Sequence, residues 1–205
     1  MAKVGLINYG SGNFMSVFNA LTYLDINTIQ IKKPDDFKNV THIILPGVGT
    51  FAALMKQLKN LNLIEAMKHH VLKLQKPYLG ICVGMQILAT LGYEYQECNG
   101  LDYIQGEVIK IPAQDYKLRL PHIGWNDVIY KKSCPLFSDI KNKASFYFVH
   151  SYYFVPKNNS DIVANCMYGF ELTACVGKDN IYGVQFHPEK SQRNGLQILQ
   201  NFVKI

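Results

Sequence analysis

Short apolar runs, which predict buried strands, alternate in the first half of the chain with segments whose apolar residues recur every three or four positions, which predict helices. The predicted strands cover residues 3–8, 28–31, 41–45 and 77–81. The first predicted helix begins after residue 13, and three more cover residues 51–58, 64–74 and 85–91. This alternation indicates an α/β fold, with an open, mostly parallel central sheet and helices on both faces.

The pattern changes after about residue 95 to short alternating runs separated by turn residues, which predicts antiparallel strands. These strands are predicted at 106–111, 125–130, 144–149, 162–166, 173–176 and 181–184. We expect them to extend the central sheet or to form a smaller antiparallel sheet, and we expect a last helix over 192–203. Because no repeat, linker or low-complexity tract interrupts the sequence, we predict one domain over residues 1–205.

Composition narrows the class of protein. The chain has 205 residues, 48% of them hydrophobic, which is enough for a substantial core, and no apolar run is long enough to span a membrane. The N-terminal residues predict a first strand and not a signal peptide. Five cysteines without close pairs indicate a reducing, cytoplasmic environment. Neither C-x-x-C nor H-x-x-x-H spacing occurs, so we expect no metal and no cofactor.

The net charge of +6 raises the question of nucleic-acid binding. The lysines are spread along the chain, however, and arginine occurs only at Arg119 and Arg193. A nucleic-acid site usually needs a concentrated basic patch, so the distribution favours an ordinary solvated basic surface. Such a surface also suits an acidic protein partner.

The strongest chemical signal is Cys82, which lies between a predicted strand and a predicted helix with Gly80 and Gly84 on either side. The order G-x-C-x-G is the thiol form of the nucleophile elbow, in which a sharp and crowded turn requires residues without side chains. A sulfur at the start of a helix is favoured as thiolate. Taken alone, Cys82 also fits an inert buried thiol.

A second stretch supplies partners for a thiol nucleophile. His187 ends an apolar strand, Pro188 restricts the backbone, and Glu189 follows. A nucleophilic thiol needs a base, and the base needs a third group that orients its ring. His187 and Glu189 can fill these two roles, since such groups meet in space and not in sequence. Taken alone, they also fit a core histidine beside a surface glutamate.

Six stretches of the sequence resemble one known family. Residues 79–86 (LGICVGMQ), 45–49 (LPGVG) and 185–191 (QFHPEKS) resemble the class I glutamine amidotransferases, which have a flavodoxin-like fold. Residues 121–126 (PHIGWN), 146–152 (FYFVHSY) and 9–13 (YGSGN) are similar to the glutaminase subunits of imidazole glycerol phosphate synthases, within that family. The resemblance extends from residue 3 to the last predicted helix.

The resemblance implies a catalytic triad of Cys82, His187 and Glu189 that hydrolyses L-glutamine to glutamate and ammonia. It further implies an oxyanion hole formed by the N–H of Val83 and by that of Val48 or Gly49. In the family the loop that contains Val48 and Gly49 often rests with its peptide turned away, and it turns back when the partner subunit is occupied.

The resemblance also implies substrate and partner contacts. Glutamine would be bound by Gln86, Glu94, Gly47, Ser151 and Tyr152, with Glu94 pairing with the ammonium group. The ammonia would pass to a (β/α)8-barrel cyclase subunit in a heterodimer. The implied contact face consists of Tyr9, Asn13, His122, Trp125, Tyr147 and Lys190.

Some positions fit a related branch of the family better. Asn8 stands where histidine-pathway members commonly have Asp, Phe14 and Met15 stand where they have a Leu-Arg pair, and the loop over 92–100 is short. These features are similar to paralogues that supply ammonia to a sugar amidotransferase in surface-polysaccharide or flagellar-glycan synthesis. The sequence leaves both pathways open.

Overall fold

The structure, a computed structural model, describes residues 2–10 and 13–205, and a mixed nine-stranded sheet forms its centre. The strands are β1 (Val4–Ile7), β2 (Thr28–Ile31), β3 (His42–Gly47), β4 (Tyr78–Cys82), β5 (Leu91–Gly92), β6 (Cys98–Asn99), β7 (Gly106–Lys110), β8 (His122–Tyr130), β9 (Ala144–His150), β10 (Tyr152–Pro156), β11 (Ile162–Tyr168), β12 (Phe170–Lys178) and β13 (Ile181–Val184). The helices are α1 (Phe14–Tyr23), α2 (Phe51–Asn60), α3 (Leu63–Lys68), α4 (Val83–Gln86) and α5 (Gln192–Phe202).

The central sheet has the strand order β2-β1-β3-β4-β13-β12-β11-β8-β9. The pairings from β2 to β13 are parallel, and those from β13 to β9 are antiparallel. A smaller sheet has the order β10-β7-β5-β6, in which only β5 and β7 pair in parallel. The predicted α/β class is confirmed. The large sheet is parallel in only half of its pairings, because most strands after residue 95 join it antiparallel. The single-domain organisation stays a prediction.

The parallel half of the sheet brings the chemically interesting turns to one edge. Strands β1, β3 and β4 are neighbours and run in the same direction, so the turns that follow them lie at the same end of the sheet, as predicted. Of the glycine turn after β1, Ser11 and Gly12 lie outside the described residues. Strand β13 pairs in parallel with β4, and residues 185–189 therefore leave the sheet at this same edge.

The longer helices follow the predicted spacing. Helix α1 buries Phe14, Val17 and Leu21, and α2 begins where the Thr50 hydroxyl accepts a hydrogen bond from the N–H of Ala53 at 3.3 Å. A cap of this type contributes about 1 kcal/mol to helix stability. The predicted helix over 64–74 is present as α3 followed by a π-helical turn at His69–Lys73. No helix in the described part of the chain is both long and apolar enough to cross a membrane.

The predicted helix over residues 85–91 is wrong, because α4 ends at Gln86. The carbonyls of residues 87–89 accept hydrogen bonds from the N–H groups of residues 101–104, which takes them away from a continuing helix. Gly100 allows this approach, since a side chain there would meet the Ala89 carbonyl oxygen at 2.0 Å. The chain turns and enters β5 instead.

The alternating runs after residue 95 all form strands, several of them longer than predicted. Strands β5, β6 and β10 were not predicted. The first two have only two residues each, too few for a periodic pattern. Strand β10 follows β9 after a single residue, so no turn signal in the sequence separates the two.

Candidate active site

Cys82 is the last residue of β4 and has a strained backbone, with φ at 54° and ψ at −112°. The turn around it is crowded as expected from the glycines. A side chain at Gly80 would meet the Gly84 carbonyl oxygen at 2.3 Å, and one at Gly84 would meet the Leu45 carbonyl oxygen at 2.1 Å. A non-glycine residue in this backbone region costs on the order of 1–3 kcal/mol and is a typical feature of functional sites. The thiol is therefore held at a fixed place at the edge of the sheet.

His187 and Glu189 form a buried pair. Nδ1 of His187 lies 2.8 Å from Oε1 of Glu189, and both side chains are fully buried. The same oxygen accepts a hydrogen bond at 2.9 Å from Nδ2 of Asn13. The backbone N–H of His187 donates to the Tyr147 carbonyl on β9 at 2.9 Å, which fixes the ring against the sheet. Nε2 of His187 has no hydrogen-bond partner of regular geometry among the described residues, and the ring lines the same pocket as Cys82.

The charges around His187 change its acidity. Burial alone lowers the pKa of His187, but the neighbouring Cys82 and Glu189 have the larger combined effect and raise it to about 10. A protonated imidazole is therefore favoured when the sulfur and the carboxylate are both anionic. A base that holds a proton taken from a thiol needs this property.

A pocket of about 210 Å³ joins the residues predicted from sequence. Pockets for drug-sized ligands usually exceed roughly 300 Å³, so this one suits a small metabolite. The lining residues are Val48, Gly49, Cys82, Val83, Gln86, Glu94, Val149, His150, Ser151, Tyr152 and His187. The structure does not bring Gly47 to the pocket. Gly47 is the last residue of β3 and does not line the pocket, and a side chain there would meet the Gly84 nitrogen at 2.5 Å.

Glu94 lines the pocket from the loop that follows β5. Its Oε2 accepts a hydrogen bond from the Phe51 N–H, the first residue of α2, at 2.8 Å. Partial burial raises the pKa of Glu94, and the hydrogen bond from Phe51 opposes this shift. A carboxylate fixed in this way can pair with an ammonium group in the pocket.

The polar network behind the pocket contains a residue that the sequence interpretation missed. Nε2 of Gln86 donates to the Tyr152 carbonyl at 2.9 Å and to Oε1 of Gln185 at 3.0 Å. Nε2 of Gln185 in turn lies 3.6 Å from Sγ of Cys82. The signal that could have found it is the position of Gln185 two residues before His187, in the short segment that follows β13.

The carbonyl groups of Ser151 and Tyr152 are already used within the protein. The Ser151 carbonyl accepts from the Ile111 N–H at 2.9 Å, and the Tyr152 carbonyl accepts from Gln86 and from Nδ1 of His150. Both residues line the pocket. The Tyr152 carbonyl already accepts two hydrogen bonds, whereas the Ser151 carbonyl, with two lone pairs and one donor from Ile111, can accept another.

In the glycine loop after β3, the N–H of Val48 is not available to bind an oxyanion. The N–H of Val48 donates to the Tyr9 hydroxyl at 3.3 Å. Gly49 follows with φ at 98°, a conformation that glycine adopts easily. Val83 comes directly after Cys82 and lines the pocket. The three predicted oxyanion residues thus meet at the pocket, with the Val48 N–H bonded elsewhere.

Part of the predicted contact face is a single exposed cluster. The rings of Trp125 and Tyr147 are 6.2 Å apart, and Nζ of Lys190 lies 5.7 Å from the centre of the Tyr147 ring. Trp125 is 49% exposed. Tyr9 is half-buried. We name Trp125, Tyr147 and Lys190 the aromatic–lysine cluster.

Asn13 and His122 do not form part of an accessible face, so their predicted surface role is wrong. Asn13 is buried because its amide supports Glu189. His122 is buried between the rings of Phe148 and Tyr168, and its Nδ1 is 2.8 Å from Nε2 of His150. Alternation along β8 points His122 inward while Trp125, an odd number of positions away, points outward.

Comparison with known sequences gives a consistent picture. The chain matches the family model described as "Glutamine amidotransferase class-I" over residues 6–205. It is 44% identical over 202 residues to "Imidazole glycerol phosphate synthase subunit HisH 1" of Campylobacter jejuni strain RM1221, covering 98% of this chain and 100% of the relative. It is 41% identical to "Imidazole glycerol phosphate synthase subunit HisH" of Pelagibacter ubique, covering 99% and 100%.

Comparison with solved structures concerns the fold alone. A structure described as "Crystal structure of glutamine amidotransferase" superposes with a TM-score of 0.76 at 18% identity, covering 98% of this chain and 97% of that one. "Structure of PurLQS from Thermotoga maritima" gives a TM-score of 0.75 at 17% identity, covering 100% and 99%. The arrangement of strands and helices is therefore shared with these proteins.

Proposed function

On the premise that this chain belongs to the class-I glutamine amidotransferase family, we propose that it is the glutaminase subunit of an imidazole glycerol phosphate synthase in histidine biosynthesis. The family predicted from the motifs is confirmed by the match over residues 6–205 and by relatives 44% and 41% identical over nearly the whole chain. The chain is accordingly a glutamine-hydrolysing enzyme. The observation that carries its mechanism is the meeting of Cys82 with the buried His187–Glu189 pair at one pocket.

The first step forms a thioester. Sγ of Cys82 attacks the carboxamide carbon of glutamine, and the thiol proton passes to Nε2 of His187. A tetrahedral intermediate results, with negative charge on the former carbonyl oxygen. Glu189 keeps its oxygen on Nδ1 of His187 and stabilises the positive ring. The C–N bond then breaks as His187 returns the proton to nitrogen, and ammonia leaves.

The second step releases glutamate. A water molecule attacks the thioester carbon while Nε2 of His187 accepts one of its protons. The C–S bond breaks, the sulfur recovers a proton from the imidazolium, and glutamate leaves the pocket. The roles of Gln86 and Glu94 are to hold the amino-acid end of the substrate, with the Glu94 carboxylate facing the ammonium group.

The developing oxyanion needs two N–H donors, and removal of one such donor typically lowers the rate by about 10²–10³-fold. We assign the N–H of Val83 as one donor. The second comes from the loop that contains Val48 and Gly49 after it rearranges, because the Val48 N–H is bonded to Tyr9 in this conformation. This assignment makes the resting chain a poor glutaminase.

The ammonia must reach its acceptor without protonation in bulk water. We propose that a (β/α)8-barrel cyclase subunit docks as a heterodimer beside the triad and receives it. The aromatic–lysine cluster supports this location, because Lys190 directly follows Glu189 in the chain and exposed aromatic residues are enriched at interfaces. A cytoplasmic site for this reaction stays a prediction.

The function is tested by mixing the full chain with the barrel subunit from the same genome and supplying glutamine labelled with ¹⁵N in the amide. We expect glutamate release, and transfer of ¹⁵N into an imidazole product when the cyclase substrate is present. Cys82→Ala should abolish both while the two subunits still bind each other. Glutamate release by Cys82→Ala would contradict the mechanism. Transfer of ¹⁵N to a sugar and not to an imidazole would contradict the pathway.

A further inference from the structure

We propose that Gln185 is a further catalytic group of this site: its side-chain N–H donates a hydrogen bond to Sγ of Cys82 and stabilises the thiolate. The inference rests on the proposed function, in which the thiolate is the attacking species. Gln185 belongs to none of the motif positions to which sequence analysis gave a role.

Gln185 contacts the Cys82 sulfur without lining the pocket. Nε2 of Gln185 lies 3.6 Å from Sγ, within the range of a hydrogen bond to sulfur. Gln185 is fully buried and does not line the pocket, so it cannot bind glutamine directly. It can act on the reaction through Cys82, and its Oε1 also holds Gln86, whose Nε2 donates to it at 3.0 Å.

The surrounding network decides which end of the Gln185 amide faces the sulfur. The Tyr152 carbonyl can only accept, and it already accepts from Nδ1 of His150. The Gln86 atom that contacts this carbonyl must therefore be its nitrogen. That nitrogen also contacts Gln185, whose contacting atom must be its oxygen. The remaining atom of the Gln185 amide is the NH₂ group, and it points at Sγ.

The short segment after β13 supplies both the Gln185 donor and the His187 base. Residues 185–187 follow β13 directly, and the chain bends at residues 185 and 186. Strand β13 pairs in parallel with β4, with Val184 opposite Ile81, so Gln185 leaves the sheet beside Cys82. The N–H of Gln185 donates to the Ala174 carbonyl on β12 at 2.9 Å, and the N–H of His187 donates to the Tyr147 carbonyl on β9 at 2.9 Å, which holds the segment in place.

His187 and Gln185 have complementary roles in the proton transfer: His187 takes the proton, and Gln185 stabilises the sulfur that has lost it. When Cys82 loses its proton to Nε2 of His187, the negative charge stays on sulfur. A hydrogen bond to a charged acceptor is stronger than one to a neutral acceptor, so the Gln185 N–H favours the thiolate over the thiol. Without this donor the thiol should ionise at higher pH and attack more slowly at neutral pH.

The test uses Gln185→Met, which keeps the length of the side chain and removes the amide. The rate of Cys82 alkylation by iodoacetamide is measured against pH on the full chain, with the Cys82 peptide followed by mass spectrometry. One hydrogen bond to a charged group changes an equilibrium constant by about tenfold or more. We therefore expect the pH midpoint of Cys82 alkylation to rise by about one unit in the variant. Cys98, half-buried in β6 at the edge of the smaller sheet, is followed in the same sample and should react unchanged.

A second variant keeps the inference testable if Gln185→Met does not fold. Gln185→Asn retains a polar amide but draws it back by one methylene group from the sulfur, and it should raise the midpoint as well. In the complex with the barrel subunit, both variants should lower kcat by about tenfold at pH 7, whereas loss of the contact with Gln86 would act on KM. A merely structural residue would lower the melting temperature without moving the alkylation midpoint.

The outcomes separate this inference from the proposed function. Alkylation reports on the thiolate without turnover, so an unmoved midpoint in a folded variant would refute the role of Gln185 even if the wild-type complex hydrolyses glutamine. Conversely, a wild-type complex that releases no glutamate would refute the proposed function, whereas a raised midpoint would still establish the donor.

Discussion

The backbone N–H of Val48 donates a hydrogen bond to the phenolic oxygen of Tyr9, 39 positions earlier in the chain, at 3.3 Å. Val48 lines the same pocket as Cys82, yet this hydrogen bond keeps its N–H from serving an oxyanion there. The Tyr9 hydroxyl therefore stabilises a resting arrangement of the glycine loop in which one assigned donor is missing.

Tyr9→Phe should raise the glutaminase activity of the isolated chain. A neutral hydrogen bond contributes about 1 kcal/mol, so its removal should increase the population of the rearranged loop and the partner-free rate by about fivefold. The measurement is kcat for glutamate release without the barrel subunit. Tyr23→Phe, at an exposed position at the far end of α1, is the matched control and should have no effect. An unchanged or reduced rate in Tyr9→Phe would show that this bond does not restrain the loop.

Cys82→Gly should be more stable than Cys82→Ala, although both lack the nucleophile. At a φ of 54° and ψ of −112°, alanine keeps the backbone strain and glycine relieves it. The relief of about 1–3 kcal/mol exceeds the entropic cost of glycine, about 0.5–1 kcal/mol, so the free energy of unfolding should differ by about 1 kcal/mol. Urea denaturation measures the difference.

Cys166 provides the control for this comparison. It is buried in β11 and its φ is not positive, so the order should reverse there, with Cys166→Gly less stable than Cys166→Ala. If glycine is the less stable replacement at both positions, the backbone of Cys82 is not strained.

Glu189→Gln should flatten the dependence of stability on alkaline pH. Since the pKa of His187 is raised to about 10 from an ordinary 6.5, its protonation stabilises the folded state fully below pH 6.5 and less as the pH rises through 10. Loss of the Glu189 charge lowers the pKa of His187, while the amide oxygen can still accept from Nδ1. The free energy of unfolding should therefore fall less between pH 6.5 and 9 than in the wild type.

Urea denaturation at the two pH values gives this difference. Glu171→Gln is the control, because that carboxylate is exposed, pairs with Lys131 and has a lowered pKa, so its titration lies in the acid range. Its slope should match the wild type. Equal slopes for wild type and Glu189→Gln would mean that Glu189 does not support a charged His187.

Trp125→Ala should weaken binding of the barrel subunit at least tenfold, because exposed tryptophans that become buried at interfaces commonly contribute 2 kcal/mol or more. Because Trp125 is half exposed, the protein should still fold after the change. Titration calorimetry measures Kd. Tyr23→Ala, which removes an aromatic ring that is 76% exposed, should bind normally. Normal binding by Trp125→Ala would place the partner elsewhere.

Local patterns were sufficient for most of the secondary structure. The apolar runs predicted β1, β3 and β4, because a strand buried on both faces needs a continuous run of apolar residues. Strand β13 was predicted among the antiparallel strands, but it pairs in parallel with β4 on one side. Local patterns failed for the helix after Cys82, where the periodicity continued past Gln86 but the carbonyls of 87–89 bond to a distant segment. The resemblance placed Asn13 and His122 on the contact face, but internal hydrogen bonds allow both to be buried.

The sequence by itself determined the kind of chemistry, because a nucleophile between two glycines and a histidine two residues before a glutamate are contiguous patterns. Only the tertiary structure decided which groups support that chemistry. Asn13 meets Glu189 across 176 positions and Gln185 meets Cys82 across 103. These contacts depend on the order in which strands pair, above all on β13 lying beside β4. The hydrophobic pattern of a strand specifies that it is buried but not which strand is its neighbour.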